Sequence, residues 1–458
     1  MKFLESLNKI SYKKIRFAYI ISMLFFLLMR YIVVYALLPK QIDSFLFSFL
    51  AFFGLSVCFF GVFLKKIEIN LKENFWLFTF LAIFLISATL NFRYGFLGNM
   101  RTFVWALISF LVLFLPPKDE LSSEKEEIIT KIQNALVVFC LIVSSLSLLT
   151  FVFQINYSFP INERDIFCMG YVESRLCGVF TNPNRGSAIA FLSAIFSAFA
   201  LLPGSKNNFF KKIHIFNLII QYFYIVLADS RGTFLSLMVA FAVFFYVFLS
   251  KNFFGRSKRG AIFRVCVTLL FCAAFYFSFA LLREAFCLIP KFMTRGLIKS
   301  GRKDFLNNSD ISNLRFSLWL SAFEMFKEKW LFGVSPASVL QYAKDRFPSS
   351  VIAVKNYSRI HNAYFDLLIS TGFLGFLTMM YFYVKSFFEA LNFYTKNRWK
   401  VKNQTFNSCV LTLLSLAIYA LTESEFLFVN TALSFVFWVF LGYTLSYAKK
   451  EMKVKKYD

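Results

Sequence analysis

Long apolar runs, separated by short polar connections, repeat along almost the whole chain. They cover residues 17–38, 44–64, 75–91, 102–116, 134–153, 185–203, 215–228, 233–250, 265–282, 362–384, 407–424 and 429–447. A membrane-crossing helix needs about 20 mainly apolar residues. The pattern therefore predicts an all-α polytopic membrane protein with about 12 transmembrane helices, the shorter runs borrowing flanking residues. An even number of crossings puts both termini on one side. The lysine-rich ends (Lys2, Lys9, Lys13 and Lys14; Lys449, Lys450, Lys453, Lys455 and Lys456) mark that side as cytoplasmic.

Three connections are longer. Residues 116–133 form a charged loop expected on the cytoplasmic side, and residues 154–184 a medium loop on the other. Residues 283–361 form one large hydrophilic segment, an extracytoplasmic loop within a single membrane domain spanning 1–458. Within it, LRFSLWLSAFEMFKEKW (Leu314–Trp330) spaces apolar residues as an amphipathic helix does, with Ser312 as its expected cap.

Charge becomes informative once sorted by side. The chain carries 50 Lys and Arg. On this topology 29 of them are cytoplasmic and only five of those are Arg, whereas 12 of the 20 outer ones are Arg. Cytoplasmic lysines follow the positive-inside rule. Outer arginines do not. The guanidinium fork grips phosphate or carboxylate bidentately, as Lys cannot, so the outer face is expected to meet an anionic, phosphorylated substrate. Arg30 stands apart, inside the first apolar run.

Composition narrows the class. The chain is 58% hydrophobic with mean hydropathy +0.62, which marks an integral membrane protein. The net charge of +25 is spread over short loops with no continuous basic, aromatic-interleaved surface, so nucleic acid is not an expected partner. Two His and no CxxC pair leave no zinc-ligand set, and no metal or cofactor is expected.

Four outer motifs carry candidate chemistry, and three open helices whose N-termini point outward. A helix N-terminus offers free amides and partial positive charge to phosphate. RLCGVFTNPNRG precedes the sixth run, with Asn182 as cap and Pro183 at the first helical position. ADSRG opens the eighth, with Asp229 or Ser230 as cap and Arg231 in the first turn. RIHNAYFDLL opens the tenth, with His361 and Asn362 at its start, and Arg315 begins the amphipathic helix. Each has a plainer reading: Asn182 as a turn and cap, Arg231 anchored at headgroups, His361 as an interfacial polar residue, Arg315 paired with Asp310. Convergence of all four on one face favours a shared site.

The arrangement resembles the O-antigen ligase and polymerase superfamily of bacterial membrane glycosyltransferases. The resemblance rests on RLCGVFTNPNRGSAIAF (175–191), DSRGTFLSL (229–237), RFSLWLSAFEMFKEKWLFGVSP (315–336) and HNAYFDLLISTGFLGFL (361–377). In WLFGVSP, Val334-Ser335 stands where relatives carry a second glycine. The resemblance implies a metal-independent enzyme of the inner membrane. It would move a glycan from a polyprenyl (undecaprenyl) diphosphate carrier to a glycan or lipid acceptor, by ligation or polymerisation, for a surface polysaccharide of the cell envelope. Arg231, Arg315 and His361 match the family's catalytic positions. Arg175, Asn182, Asn184, Arg185 and Asn362 fall in or beside the matching motifs and are expected to bind substrate. Among the carboxylates near outer helix ends (Asp366, Glu423 and Glu425), Glu423 is the alternative base to His361. The competing class is a polysaccharide transporter or lipid-linked glycan flippase. Against it, the halves do not repeat and the polar motifs gather at the outer ends.

Overall fold

The computed structural model describes residues 11–67, 69–160, 166–172, 174–202, 208–252, 258–293, 314–397 and 404–454. Its main helices are α1 (Tyr12–Met29), α2 (Lys40–Phe63), α3 (Leu71–Leu90), α4 (Phe96–Ile108), α5 (Ser122–Val152), α6 (Pro183–Ala200), α7 (Asn208–Ala228), α8 (Arg231–Asn252) and α9 (Lys258–Met293). They continue as α10 (Arg315–Glu328), α11 (Val339–Arg346), α12 (Ala363–Asn397), α13 (Gln404–Tyr419) and α14 (Ala432–Val454). Every apolar run of the sequence falls on one of α1–α9 or α12–α14.

Among the described residues, seven helices are long and apolar enough on their own to cross a membrane: α2, α3, α4 with its extension to Phe114, α5, α9, α12 and α14. The others are shorter or more polar for a packing reason. α6 is buried along nearly its whole length, and α7 lies against it. Their polar side chains bond to one another and to α5: Ser144 of α5 donates to Gln221 (2.7 Å), Gln221 to Asn217 (2.8 Å), and Asn217 to Ser193 and Ser197 (2.9 and 2.8 Å). A helix that faces protein can carry such groups once they are bonded, which lowers its hydropathy without expelling it from the bundle. At the other extreme α9 leaves Ile262, Leu269, Leu270, Phe277 and Leu281 exposed, an apolar surface suited to lipid.

The all-α expectation gives way at one place. Residues 154–184 hold a three-stranded antiparallel sheet, β1 (Tyr157–Pro160), β2 (Ile166–Val172) and β3 (Arg175–Gly178). β2 and β3 shift register between Gly170 and Tyr171. Just beyond β3 the chain pairs with the end of α1, Val33 N donating to Val179 O (2.9 Å) and Thr181 N to Tyr31 O (2.9 Å). This clamp fixes the point at which α6 begins.

The described part of the large hydrophilic segment has its own apolar core, made by Leu318, Met325, Val334, Val339, Tyr342, Ile352 and Ile360 with Ile369 of α12. The turn after α10 docks on a break in α12 at Gly372 (φ 64°, ψ −168°). There Val334 N donates to Ile369 O and Ser335 N to Ser370 O, both at 2.9 Å. Ser335 itself adopts φ 67°, a left-handed conformation costly for a side chain, and its hydroxyl meets that of Ser87 at 2.8 Å. From α4, Asn99 accepts from Ala337 N (2.8 Å) and donates to Ser338 (2.9 Å). The segment is thereby tied to the bundle just beyond the end of α10, at the break in α12 and at α4. Ser312 and Asp310, the expected cap and partner of Arg315, lie outside the described residues; the residue before α10 is Leu314, at φ 66°.

Candidate active site

Three helix starts and one interhelical turn meet at one end of the bundle. Asn182 is extended and accepts from the amides of Asn184 (2.8 Å) and Arg185 (3.4 Å), with Pro183 at the first turn of α6. Asn362 does the same for α12, its Oδ1 accepting from Tyr364 N (3.0 Å) and Phe365 N (3.2 Å). Both Asn side chains thus cap helices. α8 begins at Arg231 after Asp229 at φ 46°. The turn joining α13 to α14 closes the group: Ala363 N donates to Ala420 O at 2.9 Å, and a Cβ on Gly232 would come within 2.3 Å of Thr422 Oγ1.

Glu423 sits where they converge. Its Oε1 accepts from Arg315 Nη2 at 2.9 Å and from Asn184 Nδ2 at 3.3 Å, while Oε2 lies 3.0 Å from His361 Nδ1. Asn184 Oδ1 in turn accepts from Arg175 Nη2 at 2.5 Å, and Arg175 Nε donates to Ala228 O at 2.9 Å. Arg175, Asn184, Glu423, Arg315 and His361 therefore form one connected network built from four distant parts of the chain. The Glu423 side chain is only 16% exposed, against 40% for that of His361. The carboxylate is therefore mostly buried and the imidazole partly exposed.

His361 is held firmly. Its backbone is left-handed at φ 52°. Ile360 N donates to Asp366 Oδ1 (3.0 Å), Trp319 Nε1 to Ile360 O (3.2 Å), and Arg359 Nη2 to Phe428 O (2.7 Å). Burial lowers the Arg359 pKa, and the nearby Asp366 charge opposes that shift. Tyr357 meets the imidazole edge-on at 5.7 Å. With Nδ1 turned to Glu423, Nε2 has no hydrogen-bond partner among the described residues.

The sequence candidates divide accordingly. Arg175, Asn184, Arg315, His361 and Glu423 come together, and Asn182 and Asn362 hold the helix starts. Arg231 is exposed at the head of α8, next to the Gly232–Thr422 approach and thus one residue from contact with the turn that carries Glu423. The Arg185 side chain does not join the network; it lines a neighbouring cavity with Arg30. Sequence reasoning missed Tyr419, whose hydroxyl donates to Asn184 O (3.3 Å), and Arg359. Arg359 had a signal: it is one of the outer arginines.

Residues 216–380 match the family model for O-antigen ligase. This match supports placing the region in the O-antigen ligase superfamily. The matched stretch runs from α7 into α12 and carries Arg231, Arg315, His361 and Asn362. Arg175, Asn184 and Glu423 lie outside it, yet Arg175 bonds to Ala228, Glu423 bonds to Arg315 and His361 within the matched stretch, and Asn184 links Arg175 to Glu423. No curated protein matches the chain. Members of this superfamily are ligase- or polymerase-type glycosyltransferases, and the apolar helices agree with a multi-pass membrane protein.

Proposed function

We propose that the protein transfers a glycan from a polyprenyl diphosphate carrier, of the undecaprenyl type, to an acceptor hydroxyl at the outer face of the cytoplasmic membrane. The chain would cross that membrane 12 times, with both termini in the cytoplasm. Convergence of Arg315, His361 and Asn184 on Glu423 carries this reading. In the reaction the acceptor oxygen bonds to the anomeric carbon, and the bond from that carbon to the diphosphate oxygen breaks. The diphosphate leaves with the electron pair, and Nε2 of His361 takes the hydroxyl proton.

Negative charge grows on the leaving diphosphate as the bond breaks. Arg231, Arg315 and the amides at the start of α8 are preplaced donors that can meet that charge. The diphosphate needs no proton from the protein to leave. The acceptor benefits from a base, and an imidazole whose Nδ1 is held by a carboxylate presents Nε2 in a fixed tautomer. Glu423 then positions and does not compete with His361; it also fixes one edge of the Arg315 fork.

Deleting the gene and analysing surface glycan length together with lipid-linked intermediates tests the reading. Single repeat units accumulating on lipid mean that a polymerase was lost, and long lipid-linked chains mean that a ligase was lost. Unchanged surface glycan and unchanged intermediates contradict it.

A further inference from the structure

Asn184 and Arg185 are consecutive, and on a helix consecutive side chains do not share a face. Asn184 turns to Glu423. Arg185 turns into a separate cavity of about 480 Å³, lined by the end of α1, the start of α2 and the turn before α14. That volume lies within the usual range for small-ligand sites. Arg30, the charge that interrupts the first apolar run, stands in its wall with Lys40, Asp43, Asn430 and Arg185.

The charges do not cancel. Asp43 takes one edge of Arg30 with both its oxygens, accepting from Nε at 2.8 Å and Nη2 at 2.5 Å, and Tyr35 donates to it at 2.9 Å. Phe47 lies under the guanidinium at 3.4 Å. Arg30 is thus fixed and locally neutralised. Lys40 and Arg185 make no side-chain hydrogen bond or ion pair among the described residues. Glu425 lies behind the lining residue Thr431, which donates to it, and its field reaches Arg185. Beside the cavity Val34, Leu37, Leu38, Ile42 and Phe45 are exposed, an apolar path along which a hydrocarbon chain can lie. Two uncommitted cations over an apolar path fit a lipid with an anionic head.

We propose that this cavity seats the phosphate-bearing head of a second lipid, with Arg185 and Lys40 as its anion contacts and Asn430 as a neutral hydrogen-bonding neighbour. This deepens the glycan-transfer reading: the donor diphosphate belongs at Arg231 and Arg315, and a second phosphorylated lipid has its own place on the opposite side of the α6 start. The head can be that of a lipid-linked acceptor or of a bulk anionic phospholipid. The recognition chemistry is the same.

Native mass spectrometry of the full chain titrated with farnesyl diphosphate tests this. Wild type is expected to bind two molecules and the Lys40→Gln/Arg185→Gln double variant one, affinity at the cavity falling at least tenfold. The molecule it retains shows that the variant is folded. Two molecules bound by the double variant with unchanged affinity overturn the proposal. Arg315→Gln tests the reading beneath it separately, since loss there must spare the cavity site. Displacement of the remaining molecule in Arg315→Gln by phosphatidylglycerol identifies a phospholipid seat; resistance identifies a seat for the second substrate's diphosphate. Both results support a phosphate-head site.

Discussion

Glu423 Oε2 lies 3.0 Å from His361 Nδ1 while its Oε1 accepts from Arg315 at 2.9 Å, so one carboxylate joins the proposed base to a proposed diphosphate contact. Groups that act through one another give non-additive losses when removed. His361→Ala is expected to lower turnover by about 100-fold or more. Glu423→Gln should lose on the order of tenfold or more by releasing the imidazole and the guanidinium. The double variant should be little worse than His361→Ala alone. Losses that multiply would show that the two residues work independently.

Asn182 and Asn184 separate capping from site function. Among the described residues the Asn182 side chain bonds only the first amides of α6, so Asn182→Ala should cost about 1 kcal/mol of stability and little activity. Asn184 links Arg175 to Glu423 through hydrogen bonds to charged groups, so Asn184→Ala should lower turnover on the order of tenfold. Thermal melting and turnover, measured on both variants, check the contrast.

Much of the fold was legible and the heart of the site was not. Long apolar runs leave the backbone little choice but helix where lipid surrounds it, and each run is indeed helical. The caps at Asn182 and Asn362 are local chemistry and could be read directly. Glu423 could be noticed but not assigned: it is 62 residues from His361 and 108 from Arg315, and only tertiary contacts such as Ala363 N to Ala420 O bring its turn to them. The sequence offers it only as an alternative base, and the structure adds that it lies within hydrogen-bond reach of His361 Nδ1. The separation of Arg185 from Asn184 was readable in principle from helical geometry. The small sheet was hidden because its strands are short and shift register at Gly170.

Burial raises the Glu425 carboxyl from 4.5 to about 7, with Thr431 and Arg185 opposing the shift. The folded chain then holds this proton more tightly than the unfolded chain does. The contribution to stability is full below about pH 4.5 and is lost as pH rises through about 7, amounting to on the order of 3 kcal/mol. Melting temperature should therefore fall over that window in wild type and stay flatter in Glu425→Gln. Parallel curves would mean that Glu425 does not titrate there.

Gly372 occupies a backbone region open almost only to glycine, and a Cβ there would come within 2.4 Å of Leu331 O. Gly372→Ala should destabilise by about 2 kcal/mol or more and loosen the docking of α10. Melting temperature should drop, and proteolysis within the 330–336 turn should quicken. Unchanged melting would show that the break in α12 is not required.

The central claim is that His361 takes the acceptor proton while arginines hold the donor. Its most direct test is the single-turnover transfer rate of His361→Asn in lipid nanodiscs, with a saturating polyprenyl diphosphate-linked glycan and an acceptor hydroxyl. Asn keeps size and hydrogen bonding but cannot accept the proton. The account predicts transfer slowed by about 100-fold or more with donor affinity nearly unchanged. Transfer at the wild-type rate would contradict it.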